Sequence, residues 1–530
     1  MAADYTPIAE GARATPALFN DRFDALLKGQ SYNVAAYGAV GDGVTDDTLA
    51  IQSAIASNRT IVFNPDAEYL VSTHIDLDGL TGVTIEGNGA RFTRAGATTT
   101  MFFRIVGCTR VKVFRCRLQG AGSAETAGSG SNPPIQIGTT DLTEERINED
   151  IEVAYNTISG GNWTGIMLYG RHGTEGVVKN KAIRVHHNTI SDSVNGVFVY
   201  KNAEDVQITH NTIRSVGQDG IVFDTRAATD ARATEAITGI VVAHNTIYDA
   251  GQYGQAIGIL LKGQNDDAVV QGNVIRGTGV NQALSANAYG ILVNSDFSGT
   301  GPTSVSVVNN IIDGVSATND TGVGIYIGPA TLVDVSHNLV RNTDSYGIYV
   351  YQCNNAQVAH NRVINPTLAT GFGMRIGGNA ATSSTNVDVV GNRVIKGTGV
   401  GTTGLHFDYL DEATEKLNEV VGFAARRTLV SVTNFDQIIE RVLDAESTND
   451  LTAVSYAAGE TKTTTLTVTG AIDADHVLLT HNNPANVSGL FWWAYVSAAD
   501  TVTICVHNPT ASPIVLGGGA WYVRVLPQTR

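Results

Sequence analysis

Charge is scarce in this 530-residue chain: Asp, Glu, Lys and Arg make up only 16% of it. That is too little for long solvated helices. No apolar run reaches the ~18 residues that would mark a spanning helix, so none is expected. The opening MAADYTPIAEGARATPALF lacks the basic start and apolar core of a secretory signal. Export would then use another route. Only four cysteines occur (Cys108, Cys116, Cys353 and Cys505), at spacings that match neither a zinc site nor a disulfide framework. They read as small buried apolar residues, and no metal or cofactor is expected. Basic residues number 34 against 50 acidic ones, a formal net charge of −16. Such a surface repels phosphate backbones, which argues against nucleic acid as a partner. Proline is sparse at 12. Glycine is plentiful at 57 but shows no glycine-X-Y period, which excludes collagen and leaves many tight turns.

What the chain does have is a repeat. The pattern apolar-x-apolar-x-x-Asn-x-apolar recurs as IEVAYNTI, IRVHHNTI, VQITHNTI, IVVAHNTI, AVVQGNVI, VSVVNNII, VDVSHNLV, AQVAHNRV and VDVVGNRV. Eight steps carry Asn156 to Asn392, a period of about 30 residues. VTIEGNGA and VKVFRCRL are degenerate earlier copies, with Asn88 and Cys116 in the asparagine slot. After each asparagine comes glycine-apolar-x-apolar, as in GIMLYG, GVFVYK, GIVFDT and GILLKG. Each unit thus holds about three short strands, and helical periodicity is missing. A strand-only repeat of this length must coil so that equivalent strands stack in parallel. The expected fold is all-β: a right-handed single-stranded parallel β-helix over 31–410. Asparagine tolerates left-handed backbone and its amide can bond to the same amide one coil away, which predicts an internal ladder. Histidine precedes it five times (His187, His210, His244, His337, His360). With no carboxylate or cysteine recurring beside them, these read as a stacked surface turn, not a metal site.

Residues 37–55, YGAVGDGVTDDTLAIQSAI, predict a glycine–aspartate turn and then a helix capped by Asp46 or Asp47, with Leu49, Ala50 and Ile55 as its apolar face. It would cover the open end of the rod. This segment resembles the N-terminal signature of the pectate-lyase-like β-helix superfamily, found in phage tailspikes and related polysaccharide-active proteins. The resemblance extends through the repeats to about residue 410. It implies a right-handed β-helix, frequently a homotrimer, with carbohydrate as substrate; it does not fix the reaction. On this reading none of the three polygalacturonase signatures, NTD, GHG and RIK, is expected, and the GGxGxD calcium repeats of secreted alginate epimerases are absent.

Ahead of the rod, 1–30 reads as a neck whose stretch 16–28 is amphipathic. Residues 411–450 break the repeat with more charge and partial helical periodicity, and read as a linker or stem. Residues 451–530 alternate as a small antiparallel β-sandwich. That part resembles C-terminal modules of phage tail proteins, which trimerise or bind carbohydrate. Segment 119–150 reads as an insertion walling a groove.

The chemistry is expected on the glycine-led strand. Residues two and four after glycine point outward, since the opposite parity would bury Asp224 and Lys262. That face carries Tyr169, Tyr200, Asp224, Lys262, Asn294, Tyr326, Tyr349, Tyr351 and Arg375, whereas the asparagine-side face is plainer. Flat rings with donors and acceptors between them suit a sugar polymer. Tyr200, Asp224, Lys262 and Asn294 fall in successive coils. The expected catalytic groups are Asp224, Asp296, Asp219 and Lys262. Asp224 and Asp296 stand two coils, about 9.6 Å, apart, close to the roughly 6.5–9.5 Å carboxyl spacing of an inverting glycosidase. A lyase would instead use Lys262 or Tyr200 as base. The reading is a tailspike-like depolymerase that cuts a bacterial surface polysaccharide by hydrolysis. The alternatives are a lyase on a uronate polymer and a non-catalytic tail fibre. The expected setting is a virion tail, with a separate adaptor protein.

Overall fold

A computed structural model describes residues 31–526 apart from 58–59, 96–100, 121–132, 140–145, 173–176, 179, 226–235, 253–254, 281–286, 296–298, 300, 318–320, 365, 367–370, 399–402, 439–442, 448–454, 469–470, 473–474, 482–487 and 517–519. The 16–28 helix expectation lies outside these residues. No helix among the described residues is long and apolar enough to cross a membrane. The chain divides into two compact units: the described parts of Met1–Ala413 with Glu419–Asn434, and those of Thr414–Asn418 with Phe435–Arg530.

The first unit is a right-handed parallel β-helix. Each coil runs through an asparagine-side strand, a short strand and a glycine-led strand, and each of these pairs in parallel with its equivalent one coil on. The coil around Asn211 uses Ala203–Thr209, Thr212–Val216 and Asp219–Asp224. The short strands stack one aliphatic column, with Ile158, Ile190, Ile213, Ile247, Ile275 and Ile312 in register and fully buried.

Asparagine turns this stack. Asn188 Nδ2 donates to Asn211 Oδ1 at 3.0 Å, and the Asn188 backbone N–H donates to the same oxygen at 3.0 Å. The pattern repeats from Asn156 to Asn392. Cys116 closes the ladder's near end through its backbone N–H, which donates to Asn156 Oδ1 at 2.9 Å. The left-handed residue is not the asparagine, as expected from sequence, but the one before it: His187, His210, His244, His337 and His360 have φ between 53° and 58°. Two repeats use glycine there instead, Gly272 and Gly391, where a Cβ would meet the preceding coil's histidine ring at 2.7 and 2.6 Å. The rings themselves stack, His187 on His210 at 4.9 Å and 2°.

The helix Thr48–Ala56 buries Ile51, Ala54 and Ile55, but Leu49 is exposed, against expectation. The Asp46 carboxylate accepts from the Thr48 N–H at 3.0 Å, while that of Asp47 turns back to the N–H of Val40 at 2.6 Å. The Gln52 amide mimics a strand edge, donating to Asp76 O at 2.7 Å and accepting from Asp76 N at 2.8 Å.

Two sequence expectations change. Within 119–150, Ile135–Gly138 is a strand of the rod, paired on both sides, so a further coil interrupts the presumed insertion. Residues 411–450 are strand, not helix, over most of their described length: Thr403–Lys416, Glu419–Val421, Ala425–Ile438 and Leu443–Ser447. Along Thr403–Lys416 buried positions are interspersed with half-buried ones, and only Glu412 is exposed; pairing into the sheet overrides weak helical periodicity.

The second unit holds two three-stranded antiparallel sheets. They enclose Val502, Ile504, Val506, Trp521, Val523 and Val525. Trp492 packs against this core, whereas Trp493 is exposed.

Candidate active site

The groove begins with a glycine. At Gly196, Gly220, Gly258 and Gly290 an added Cβ would lie 2.4–2.5 Å from the next coil's glycine carbonyl and 2.6–2.9 Å from an isoleucine Cγ2 of the short-strand column. Both the glycine and the residue after it face the core, as Ile221, Ile259 and Ile291 show by full burial. Two successive inward positions bend the strand. The residue before the glycine therefore returns to the outer side and faces those two and four places later. This third outward column reads Asn195, Asp219, Ile257, Tyr289, Tyr346 and Phe372 at its polar or bulky positions. Sequence alternation missed it because strict period-two reading assigns it to the interior.

Between the columns lies a cavity of about 490 Å³, lined by Trp163, Tyr169, Asn195, Phe198, Tyr200, Gln218, Asp219, Val222, Asp224, Gln255, Leu260, Lys262, Leu292 and Asn294. The register makes Tyr169, Tyr200, Asp224, Lys262 and Asn294 lateral neighbours in five consecutive coils. They stand on an outward apolar floor of Met167, Phe198, Val222, Ile257, Leu260 and Leu292. The outward parity is as expected, but its reason fails: Asp224 faces out and is still only 1% exposed, because the groove walls cover it. Asp219 is likewise buried.

The two carboxyls differ in surroundings. Burial pushes the Asp219 carboxyl up to about 8; nearby Asp224 adds to this, while a hydrogen bond from the Ile257 N–H and the Lys262 charge oppose it. Its Oδ1 is buried without a hydrogen-bond partner among the described residues. The Asp219 backbone is fixed by its N–H donating to Asn195 Oδ1 at 3.2 Å. Asp224 has the cation Lys262 as its lateral neighbour. Asp296 lies outside the described residues.

Tyr326, Tyr349, Tyr351 and Arg375 do not line this cavity; they continue the same face beyond it. Tyr326 and Tyr349 meet edge-on at 5.1 Å, and the Arg375 guanidinium lies 4.7 Å from the Tyr349 ring centroid. Arg375 Nη2 donates to Asp408 Oδ2 at 2.6 Å, and His406 stacks on Phe372 at 4.3 Å. The ion pair holds Arg375 over the tyrosines; burial raises the Asp408 carboxyl, but hydrogen bonds from His406 and Arg375 and their charges hold it below its ordinary range. The asparagine-side face is less plain than the sequence indicated: Lys112–Glu152 and His186–Glu152 pair at 3.0 Å. Asn342, Thr343 and Asp344 do spell NTD, but the Asp344 carboxylate is engaged by Ser316 Oγ at 2.9 Å and the Ala317 N–H at 2.8 Å, as a turn brace.

The family described as "Rhamnogalacturonase A/epimerase, pectate lyase-like" matches residues 31–295, and the "Right handed beta helix region" matches 235–406. Mannuronan C5-epimerase AlgE1 of Azotobacter vinelandii is 24% identical over 244 residues, 43% of this chain and 16% of that enzyme, so the chain matches only a small part of its length. The catalytic unit of a GH87 α-1,3-glucanase from Streptomyces thermodiastaticus superposes with a TM-score of 0.52 at 17% identity, over 77% of this chain and 69% of the other, and shares the fold. The tailspike of E. coli bacteriophage HK620, solved with a pentasaccharide, gives a TM-score of 0.46 at 12% identity over 96% and 95%.

Proposed function

The chain belongs to the rhamnogalacturonase A/epimerase, pectate lyase-like family, and on that footing we propose that it is a depolymerase hydrolysing a bacterial surface polysaccharide. The observation that carries this is the pair Asp219 and Asp224 in one aromatic-walled cavity. A carboxyl that keeps its proton to about 8 can donate it at neutral pH. Asp219 is the general acid that protonates the glycosidic oxygen. Asp224 is the base or nucleophile on the reacting carbon's side, with Lys262 beside it as counter-charge. Trp163, Tyr169 and Tyr200 give faces for sugar rings, and Asn195, Gln218, Gln255 and Asn294 give amides for hydroxyls. Cleavage at a cavity open to a longer face supports attack within a chain. A tailspike-type homotrimer on a virion is the setting that the N-terminal signature and the C-terminal sandwich favour.

The test is reducing-end release from a panel of purified capsular and O-antigen polysaccharides. Release by the native protein, lost in D219N and in D224N, supports hydrolysis. Unsaturated, ultraviolet-absorbing ends would assign elimination with Lys262 as base. Binding without any shortening would make the chain an adhesin.

A further inference from the structure

We propose that the groove takes a neutral polysaccharide, whose units present hydroxyl or amide groups and no carboxylate. This rests on the polysaccharide reading above and names the substrate class for that same face.

The face is long. The glycine-led strands from Thr164–Tyr169 to Thr403–Lys416 stack in eight steps, about 38 Å at the interstrand spacing. A uronate polymer lying along it would bring one carboxylate per sugar. Each would leave water for a half-buried wall and would need a cation there.

Among the described residues the outward columns supply none that is unspent. Two and four places after the core-facing turn, the described coils carry three cations: Arg104, Lys262 and Arg375. Each has a carboxylate one coil away. Arg104 Nε donates to Asp76 Oδ1 at 2.6 Å. Lys262 stands in register with Asp224. Arg375 donates to Asp408 from both Nε and Nη2. Lys201, in the turn after Tyr200, holds its ammonium 5.2 Å from that ring's centroid and is not part of the cavity lining. The cavity itself has two carboxyls against one cation. Its remaining side-chain polar groups are neutral: four amides, which both donate and accept, the Tyr169 and Tyr200 hydroxyls and the Trp163 indole N–H, and these suit hydroxyl and acetamido groups. The whole chain adds repulsion, at a formal −16.

The test pairs polymers that differ only in charge: polygalacturonate and mannuronan, each against its carboxyl-reduced form, in affinity electrophoresis of the intact protein at low ionic strength, with and without calcium. Expected is no retardation of the native protein by either polyuronate under either condition. The double variant D224N/D408N, which leaves Lys262 and Arg375 without their carboxylates, should gain at least a tenfold increase in polyuronate affinity; D224N alone should gain part of it if the double variant misfolds. Retardation of the native protein by a polyuronate, calcium-dependent or not, overturns the proposal. So does a folded variant that gains nothing. Failure of every neutral polymer to release reducing ends, with polyuronates still excluded, sinks the hydrolase reading and leaves this one standing.

Discussion

At the scale of the residue, the proposed chemistry turns on Asp219. In the unfolded chain its carboxyl ionises near 3.8, while in the fold it holds its proton to about 8. The folded state therefore binds more protons across that window, so stability falls as pH rises from about 4 to about 8 and levels off above. D219N keeps the shape and removes the titration. It should raise stability at pH 8 by about 1–3 kcal/mol, the usual cost of a buried unsatisfied polar group, with no gain at pH 3; thermal melts at both pH values measure this. The same variant should lower kcat by roughly 10²–10⁴, the worth of a general acid. If the proposed hydrolysis holds, the basic limb of the native protein's pH–rate profile should fall near pH 8, as Asp219 loses its proton. A limb unmoved by D219N would remove Asp219 from the acid role.

At the scale of the element, glycine and asparagine do different work in the same coil. The glycine bends the outer strand and lets coils approach. G258A would drive a methyl group to 2.5 Å from Gly290 O and 2.7 Å from Ile275 Cγ2; overpacking of this kind costs about 1–3 kcal/mol, and it should also lower activity by shifting the floor under Lys262. Asparagine joins coils through a chain of amides. N245A removes donors to Ile208 O and Asn273 Oδ1 and the acceptor for Asn211. It should cost about 1–3 kcal/mol for each group left unsatisfied, whereas N156A, whose Oδ1 accepts one N–H from Cys116 where that of Asn245 accepts two from Asn211, should cost less. Equal losses by denaturant titration would show that the ladder does not act as a linked series.

For the whole molecule, the second unit exposes Phe491, Trp493 and Tyr495 at 68%, 43% and 49%, side by side on alternate positions of one strand. Exposed apolar rows of this kind mark contact surfaces. If the proposed homotrimer is right, light scattering should give three times the 55.8 kDa chain mass, and F491S/W493S should shift the population toward single chains. An unchanged trimer in that variant would move the contact elsewhere.

The sequence by itself determined the coil, its period and the face that carries the candidate site. Those follow from local rules: alternation fixes which side chains turn inward, the amide ladder fixes where each turn falls, and a constant period fixes the register that aligns Tyr200, Asp224, Lys262 and Asn294. Only the tertiary structure decided that Asp219 and Asp224 are both buried in one cavity, that the residue before each glycine returns to the outside, and that Arg375 is spent on Asp408. These depend on a bend made by contact between neighbouring coils. The distances that set a buried carboxyl's proton affinity, or pair a cation with its counter-ion, arise only when residues some 25 to 40 positions apart are stacked about 4.8 Å from one another.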